Sequence, residues 1–261
     1  MGWSQLGTQF CLQLAFGVLL ALAFVPKAPV GRLFYRVMGT SAVVPLAVAA
    51  VAPVLWGGVA WSDPATIAAG VATLTYPAVS APVRGWRWWT ALAIGLLATG
   101  CAIVFSIVRT ADLATPLEVA LGSFCAMATG AVAGSVALAM VLGHWYLTIP
   151  TLHVDHLRRL NRVTIVSIVV DLLLLATSLT VFADQLQATE RPLLGPWGLF
   201  YLGTRVTVGL LLPLLFAVMT AGSLEFKNTR SATGILYAST ILVLIGTAVS
   251  ISLQDSYGIP L

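Results

Sequence analysis

Charge is what this sequence has least of. Asp, Glu, Lys and Arg together make up 8% of its 261 residues, against about a quarter in soluble globular chains. With 59% hydrophobic residues beside them, so few charges cannot clothe a water-facing surface, which excludes a soluble domain. Histidine is almost as sparse, with three residues confined to positions 144 to 156, and a multi-haem cytochrome with histidines on several facing helices is thereby excluded. The three cysteines, Cys11, Cys101 and Cys125, fall inside apolar runs without CxxC or Cys/His spacing, so they support packing rather than a disulfide framework or a zinc site. No phosphate-binding glycine loop, HExxH or serine nucleophile elbow is present, which argues against soluble-type hydrolase chemistry. The formal charge of +4 does not indicate a nucleic-acid partner, because the basic residues come in small groups between apolar runs rather than along one face.

What is there is a succession of apolar runs. Stretches of about 20 apolar residues span a bilayer, and such runs occupy about 6 to 25, 37 to 57, 64 to 82, 88 to 108, 116 to 144, 163 to 183, 195 to 220 and 231 to 252. The expectation is an all-α, polytopic helix bundle in one domain over 1–261, with about eight transmembrane helices and the lipid bilayer as its first partner. The third run carries Gly70 and Pro77 and is short; if 64–82 does not span, the count is seven. The first run lacks a basic leader, and Val25-Pro26-Lys27 stands where a small-residue cleavage site would be, so it reads as a retained helix. Asp63-Pro64, Gly195-Pro196 and the capping-box spacing Thr115-Pro116-Leu117-Glu118 mark helix starts.

Charge gives the orientation, because cytoplasmic loops collect Lys and Arg. Eight spans with both termini outside the cytoplasm put Lys27, Arg32, Arg36, Arg84, Arg87, Arg158, Arg159, Arg162, Lys227 and Arg230 inside, and only Arg109 and Arg191 outside. Removing the third span inverts everything before it and destroys the asymmetry. Trp86, Trp88, Trp89, Trp145 and Tyr146 then mark the inner interface, and Trp56, Trp61, Trp197 and Tyr201 the outer one. The expected location is a multi-pass protein of the plasma or inner membrane of a prokaryote.

Two charges lie inside spans, where each costs roughly 2.5 to 3.5 kcal/mol on insertion scales. Asp171 and Arg205 fall near the midplane of consecutive antiparallel spans and can meet, as a buried ion pair pinning two helices or as part of a proton path or ligand site. Thr164, Ser167 and Asp171 share a helical face, and Tyr201, Arg205, Gly209 and Pro213 recur every four residues; both faces are expected to look into the bundle. Gly122, Ala126, Gly130 and Gly134 form a small-residue stripe suited to close helix packing. Pro45, Pro53 and Pro213 lie inside spans and are expected to kink them.

The segment from Gly143 to His156 holds all the histidines. His144 closes the fifth run at the inner interface, beside Trp145 and Tyr146, and Pro150 follows. An imidazole there can hydrogen-bond a quinone carbonyl and exchange a proton near pH 7 while the aromatic rings pack on the quinone. The alternatives are an axial haem ligand at His144, a metal site using His153 and His156 with or without His144, or simple interfacial anchoring. Quinone and lipid are the expected cofactors, with haem behind them.

The eight-span count, the outside termini and the segment Thr204-Arg-Val-Thr-Val-Gly-Leu-Leu-Leu-Pro213 resemble the membrane anchor subunits of the polysulfide-reductase and dimethyl-sulfoxide-reductase type. That resemblance covers architecture and one short motif, and implies a quinol site near one interface with redox centres on a partner subunit. The leading expectation is therefore an anchor subunit of an electron-transfer complex, with His144, Trp145, Tyr146 and Arg205 as quinone- or ligand-binding residues and no catalytic residue of its own. A small transporter or channel routed past Asp171 and Arg205 is the alternative, and a structural or assembly subunit is the second.

Overall fold

An apolar chain in lipid can satisfy its backbone only within helices or closed barrels, and this chain takes the helical course. The computed structural model describes residues 3–25, 31–81, 85–110, 115–149, 153–188 and 192–258. Among them there is no strand. The helices are α1 (Trp3–Leu22), α2 (Gly31–Gly57), α3 (Pro64–Thr73), α4 (Tyr76–Val79), α5 (Trp86–Thr110), α6 (Pro116–Thr148), α7 (Asp155–Val181), α8 (Ala183–Ala188), α9 (Pro196–Val206), α10 (Leu212–Glu225) and α11 (Thr229–Tyr257), with one π turn, Thr207–Leu211, joining α9 to α10. Counting α9, the π turn and α10 as one, seven helices among the described residues are long and apolar enough to cross a membrane.

The expected starts are found. Asp63 caps α3 through its carboxylate, with Pro64 at the first position. Thr115 and Glu118 form a reciprocal capping box at α6, and Pro196 opens α9. Several ends extend beyond the hydropathy boundaries, and two of them show why. Helix α6 continues past His144 to Thr148, because nothing before Pro150 denies it a backbone donor. Helix α7 begins at Asp155, eight residues before its apolar run, since a helix persists through the polar interface that hydropathy alone leaves out. Helix α2 continues through both Pro45 and Pro53.

The third run is not one helix. Pro77 has no N–H for the Thr73 carbonyl and its ring crowds that position, while the Thr75 hydroxyl takes up the Ala72 carbonyl at 2.7 Å. Helix α3 therefore stops at Thr73 and the short α4 follows. The broken segment nonetheless runs the length of α5, antiparallel to it. At one end Asp63 pairs with Arg109 at 2.8 Å; in the middle Thr75 lies against Gly95; at the other end the Trp88 indole donates to the Val79 carbonyl at 2.9 Å.

Contacts between the other helices fix their directions. The α1 and α6 backbones run parallel, with Gln13 beside Gly130 and Gly17 beside Gly134. Helix α7 is antiparallel to α6, since Ser178 meets Cys125 and Thr164 meets Ser135. Helix α10 returns along α7, with Asn161 bonded to Ala217 and Arg158 to Leu224. Helix α11 brings Tyr257 back to Gly198. Trp3 and Tyr257, the outermost helical residues described, consequently share one end of the bundle. That end also holds Asp63, Glu118, Asp184 and Asp255, with Arg109 the one described Lys or Arg there. The opposite end holds Arg36, Arg87, Arg158, Arg159, Arg162, Lys227 and Arg230, against Asp155 and Glu225. Lys27, Arg84 and Arg191 lie outside the described residues.

Helix α6 is the shared axis. Every residue from Ala128 to Val136 is buried, and α6 contributes to two apolar clusters. One joins α1, α2, α3, α4 and α5 and takes in Leu157 and Leu160 of α7, Leu224 of α10 and Leu236 of α11. The other joins α7, α8 and the helices from α9 to α11. Of the expected small-residue stripe, Gly130 and Gly134 make the closest approach in the bundle. A Cβ on Gly17 would lie 1.7 Å from the Gly130 carbonyl oxygen, and one on Gly134 1.9 Å from the Gly17 carbonyl carbon, so only glycine permits this crossing.

Candidate functional site

The two intramembrane charges meet. Asp171 in the middle of α7 and Arg205 near the end of α9 are both 2% exposed, and an Arg205 Nη2 lies 2.8 Å from Asp171 Oδ2. The same Nη2 donates to Thr129 Oγ1 on α6 at 2.8 Å, and that hydroxyl donates to Asp171 Oδ1 at 3.3 Å. One ion pair with one hydroxyl thus ties three helices at the depth where an unpaired charge would cost most. Arg205 Nε is buried and meets no acceptor among the described residues.

The pair belongs to a polar seam between α6 and α7. Thr164, Asp171 and Ser178 recur every seven residues on α7, which returns them to one face. Each has a partner on α6: Ser135 at 3.2 Å, Thr129, and Cys125, whose Sγ is 3.2 Å from Ser178 Oγ. Sequence reasoning identified Thr164 and Asp171 but missed Ser178, Thr129, Cys125 and Ser135. The seven-residue spacing on α7 was the available signal; the α6 partners required knowing which helix lies opposite. Ser167, read on the same face, is only half-buried.

The geometry around Arg205 rests on the π turn that follows it. Pro213 removes the donor for the Gly209 carbonyl and its ring presses on that turn, so the helix widens and Leu212 N–H bonds to the Thr207 carbonyl instead. The widened turn puts Arg205, Gly209 and Pro213 inward, whereas Tyr201, expected on the same stripe, is exposed. Gly209 packs directly on Gly246 of α11: a Cβ on Gly246 would lie 2.2 Å from the Gly209 Cα. Turns of this kind concentrate at functional positions.

At the basic end the structure separates the residues grouped by sequence. Successive helical residues point about 100° apart, so His144, Trp145 and Tyr146 face three neighbours. The exposed His144 has Nδ1 3.1 Å from the Tyr237 hydroxyl of α11. Trp145 packs edge-on against Phe34 of α2, with ring centroids 5.5 Å apart. Tyr146 is buried and donates a short hydrogen bond to the His153 carbonyl. The three do not share one face, and Tyr237 is the companion of His144 that sequence reasoning did not find. No three His, Cys, Asp or Glu side chains converge on a metal-sized space among the described residues, so His144, His153 and His156 are not gathered into one ligand set.

Surface clefts among the described residues also lie at the basic end, with arginines on their walls. One of about 680 Å³ runs between α2 and α4 past Arg36, Thr40 and Tyr76. Another of about 340 Å³ lies under Trp86, Arg87 and Trp88. The third, of about 260 Å³, lies between α7 and α10 and is lined by Arg158, Asn161, Arg162 and Glu225. Asp171, Arg205 and His144 line none of these. Comparison with protein-family models, curated proteins and solved structures finds no match, so what the chain does has to be argued from this geometry.

Proposed function

We propose that the chain is the membrane subunit of an electron-transfer complex, anchoring partner subunits that carry the redox centres and offering quinone a hydrogen-bonding site at its basic end. The observation that supports this best is the His144–Tyr237 pair. The Tyr237 hydroxyl engages one imidazole nitrogen, and the other has no partner among the described residues. Both side chains are exposed near the basic end, where this reading puts a quinone headgroup beneath the lipid headgroups. An imidazole so oriented can donate to or accept from a quinone oxygen, and the tyrosine can relay the proton. The buried Asp171–Arg205 pair holds the bundle in register in this reading. The excess of Lys and Arg at one end supports a cytoplasmic placement of that end, as in a prokaryotic plasma membrane, with Trp3 and Tyr257 on the opposite face. The resemblance to polysulfide-reductase and dimethyl-sulfoxide-reductase anchors points the same way.

The test is purification from native membranes in mild detergent, with identification of the accompanying proteins and lipophilic small molecules. Redox proteins and quinone are expected to accompany the chain. His144→Ala and Tyr237→Phe are expected to lower quinone-coupled turnover while leaving the complex assembled; unchanged turnover in both would reject the site. A second reading, a small transporter, is favoured by the midplane charges beside a π turn and by the break between α3 and α4. It requires the purified chain alone, in liposomes, to move a solute or protons.

A further inference from the structure

The cleft between α7 and α10 lies apart from Asp171, Arg205 and His144. Helix α7 is 27 residues long, about 40 Å at 1.5 Å per residue, while the hydrocarbon core is about 30 Å thick. Its first turns therefore lie among the lipid headgroups, and there one side of the helix presents Arg158, Asn161 and Arg162 to Ala221, Leu224 and Glu225 of α10. At about 260 Å³ the cleft is smaller than the roughly 300 to 1,000 Å³ that takes a whole drug-sized ligand.

The polar groups in the cleft are of two kinds. Arg158 is fixed, since Nη2 donates to the Leu224 carbonyl at 2.8 Å and Nη1 lies 3.7 Å from Asp155. Arg162, one turn on, is exposed and has no hydrogen-bond or ion-pair partner among the described residues. Two guanidinium groups on one helical face make a site for a phosphate. Opposite in character are Glu225, also without a basic partner among the described residues, and Asn161. The asparagine is 2% exposed; its amide donates to the Ala217 carbonyl at 2.8 Å, and its Oδ1 is buried without a donor. An unmet buried acceptor destabilises a fold unless a ligand supplies the donor. The cleft thus asks for a phosphate and a hydrogen-bond donor in one ligand. Below it the wall turns apolar: Ile165 lines the floor, and Val169 and Val218, next on the same helical faces, are exposed hydrophobic residues along which an acyl chain can lie.

We propose that this cleft binds the phosphoethanolamine headgroup of a membrane lipid, with the phosphate on Arg162 and Arg158 and the ammonium on Asn161 Oδ1 and Glu225. The experiment uses the purified full chain, delipidated in detergent, with phosphatidylethanolamine, phosphatidylcholine, phosphatidylglycerol or inorganic phosphate added. Retention is read by native mass spectrometry and protection by thermal unfolding. Phosphatidylethanolamine is expected to be retained about tenfold over phosphatidylcholine, whose trimethylammonium has no N–H to donate. Arg162→Gln is expected to lower retention about tenfold, the scale of one charge-assisted contact. Glu225→Gln is expected to reduce the preference for ethanolamine over choline, with Asn161 Oδ1 still accepting, while leaving phosphatidylglycerol binding intact. Both residues are exposed, so the variants fold. Equal retention of the three lipids, or protection by inorganic phosphate without any lipid preference, would overturn the assignment. So would an Arg162→Gln protein with unchanged retention.

Discussion

Replacing Arg205 with Met while keeping Asp171 leaves a carboxylate that is 2% exposed with the Thr129 hydroxyl as its remaining described partner. Breaking a buried pair from one side costs about 3 to 5 kcal/mol, because the surviving charge has lost the opposite charge that offset most of its desolvation. Asp171→Leu strands the guanidinium in the same way and is expected to cost as much. Replacing both together removes the two charges and their desolvation at once, and Met and Leu fill the space beside Gly209 that the pair occupied. The double variant is therefore expected within about 1 kcal/mol of the wild type, or above it, as for buried pairs exchanged for apolar residues. The assay is reversible unfolding of the purified chain by a denaturing detergent titrated into mixed micelles, followed by far-ultraviolet circular dichroism. The cycle gives a coupling energy of at least about 5 kcal/mol if the pair is as drawn. Single variants that each lose under 1 kcal/mol would refute the reasoning, since water would then have to reach the midplane. A double variant as unstable as the sum of the singles would refute it differently, by showing that the groups do not interact. Turnover measured on the stable double variant then separates the roles: retained activity makes the pair a fastener, and lost activity makes it part of a proton or substrate route.

Other outcomes follow from the packing. Gly17→Ala and Gly134→Ala are expected to lose at least 3 kcal/mol in the same unfolding assay, since each Cβ would lie under 2 Å from the opposite backbone and overpacking of even ordinary contacts costs about 1 to 3 kcal/mol; Gly70→Ala, with nothing within 4 Å, is expected to change stability by less than about 1 kcal/mol. Trp88→Phe removes the hydrogen bond that holds the Val79 carbonyl and is expected to cost about 1 to 3 kcal/mol, with faster hydrogen exchange confined to residues 74–81; uniform loss across the bundle would contradict a local role. With the native cysteines replaced by Ala, Ser62→Cys is expected to react with an impermeant maleimide from outside intact cells and Ser231→Cys only after permeabilisation. The reverse pattern would invert the proposed orientation.

Hydropathy made most of the architecture legible, because a span must be apolar along its whole length and that property is local. The same locality explains the departures. Pro77 was visible in the third run, but the break also needed the Thr75 hydroxyl to claim a carbonyl three residues back. The start of α7 was hidden because Asp155, Arg158 and Arg159 look like a loop until the depth of the bilayer is considered. At the site, matching depth on consecutive antiparallel helices brought Asp171 to Arg205 in advance. Thr129 could not be found that way, since a threonine on α6 carries no sign of which helix faces it. The companion of His144 was missed for a related reason: adjacency in sequence places helical side chains apart, and Tyr237 is 93 residues away.

The contact between α1 and α6 also sets an order of assembly. Gly17 finds its groove only when Gly130 and Gly134 have been made, about 120 residues later. At synthesis rates of roughly 5 to 20 residues per second, α1 waits about 6 to 24 s in the bilayer with its intended partner unmade. During that interval Gln9 and Gln13, both buried in the finished bundle, face lipid or a chaperone. The first hydrogen bond open to Gln9 is with Ser106 of α5 at 2.9 Å, so the first helix is held by a polar tether before its glycine seat exists. A ribosome stalled between α5 and α6 should therefore expose an intermediate that membrane quality control can recognise.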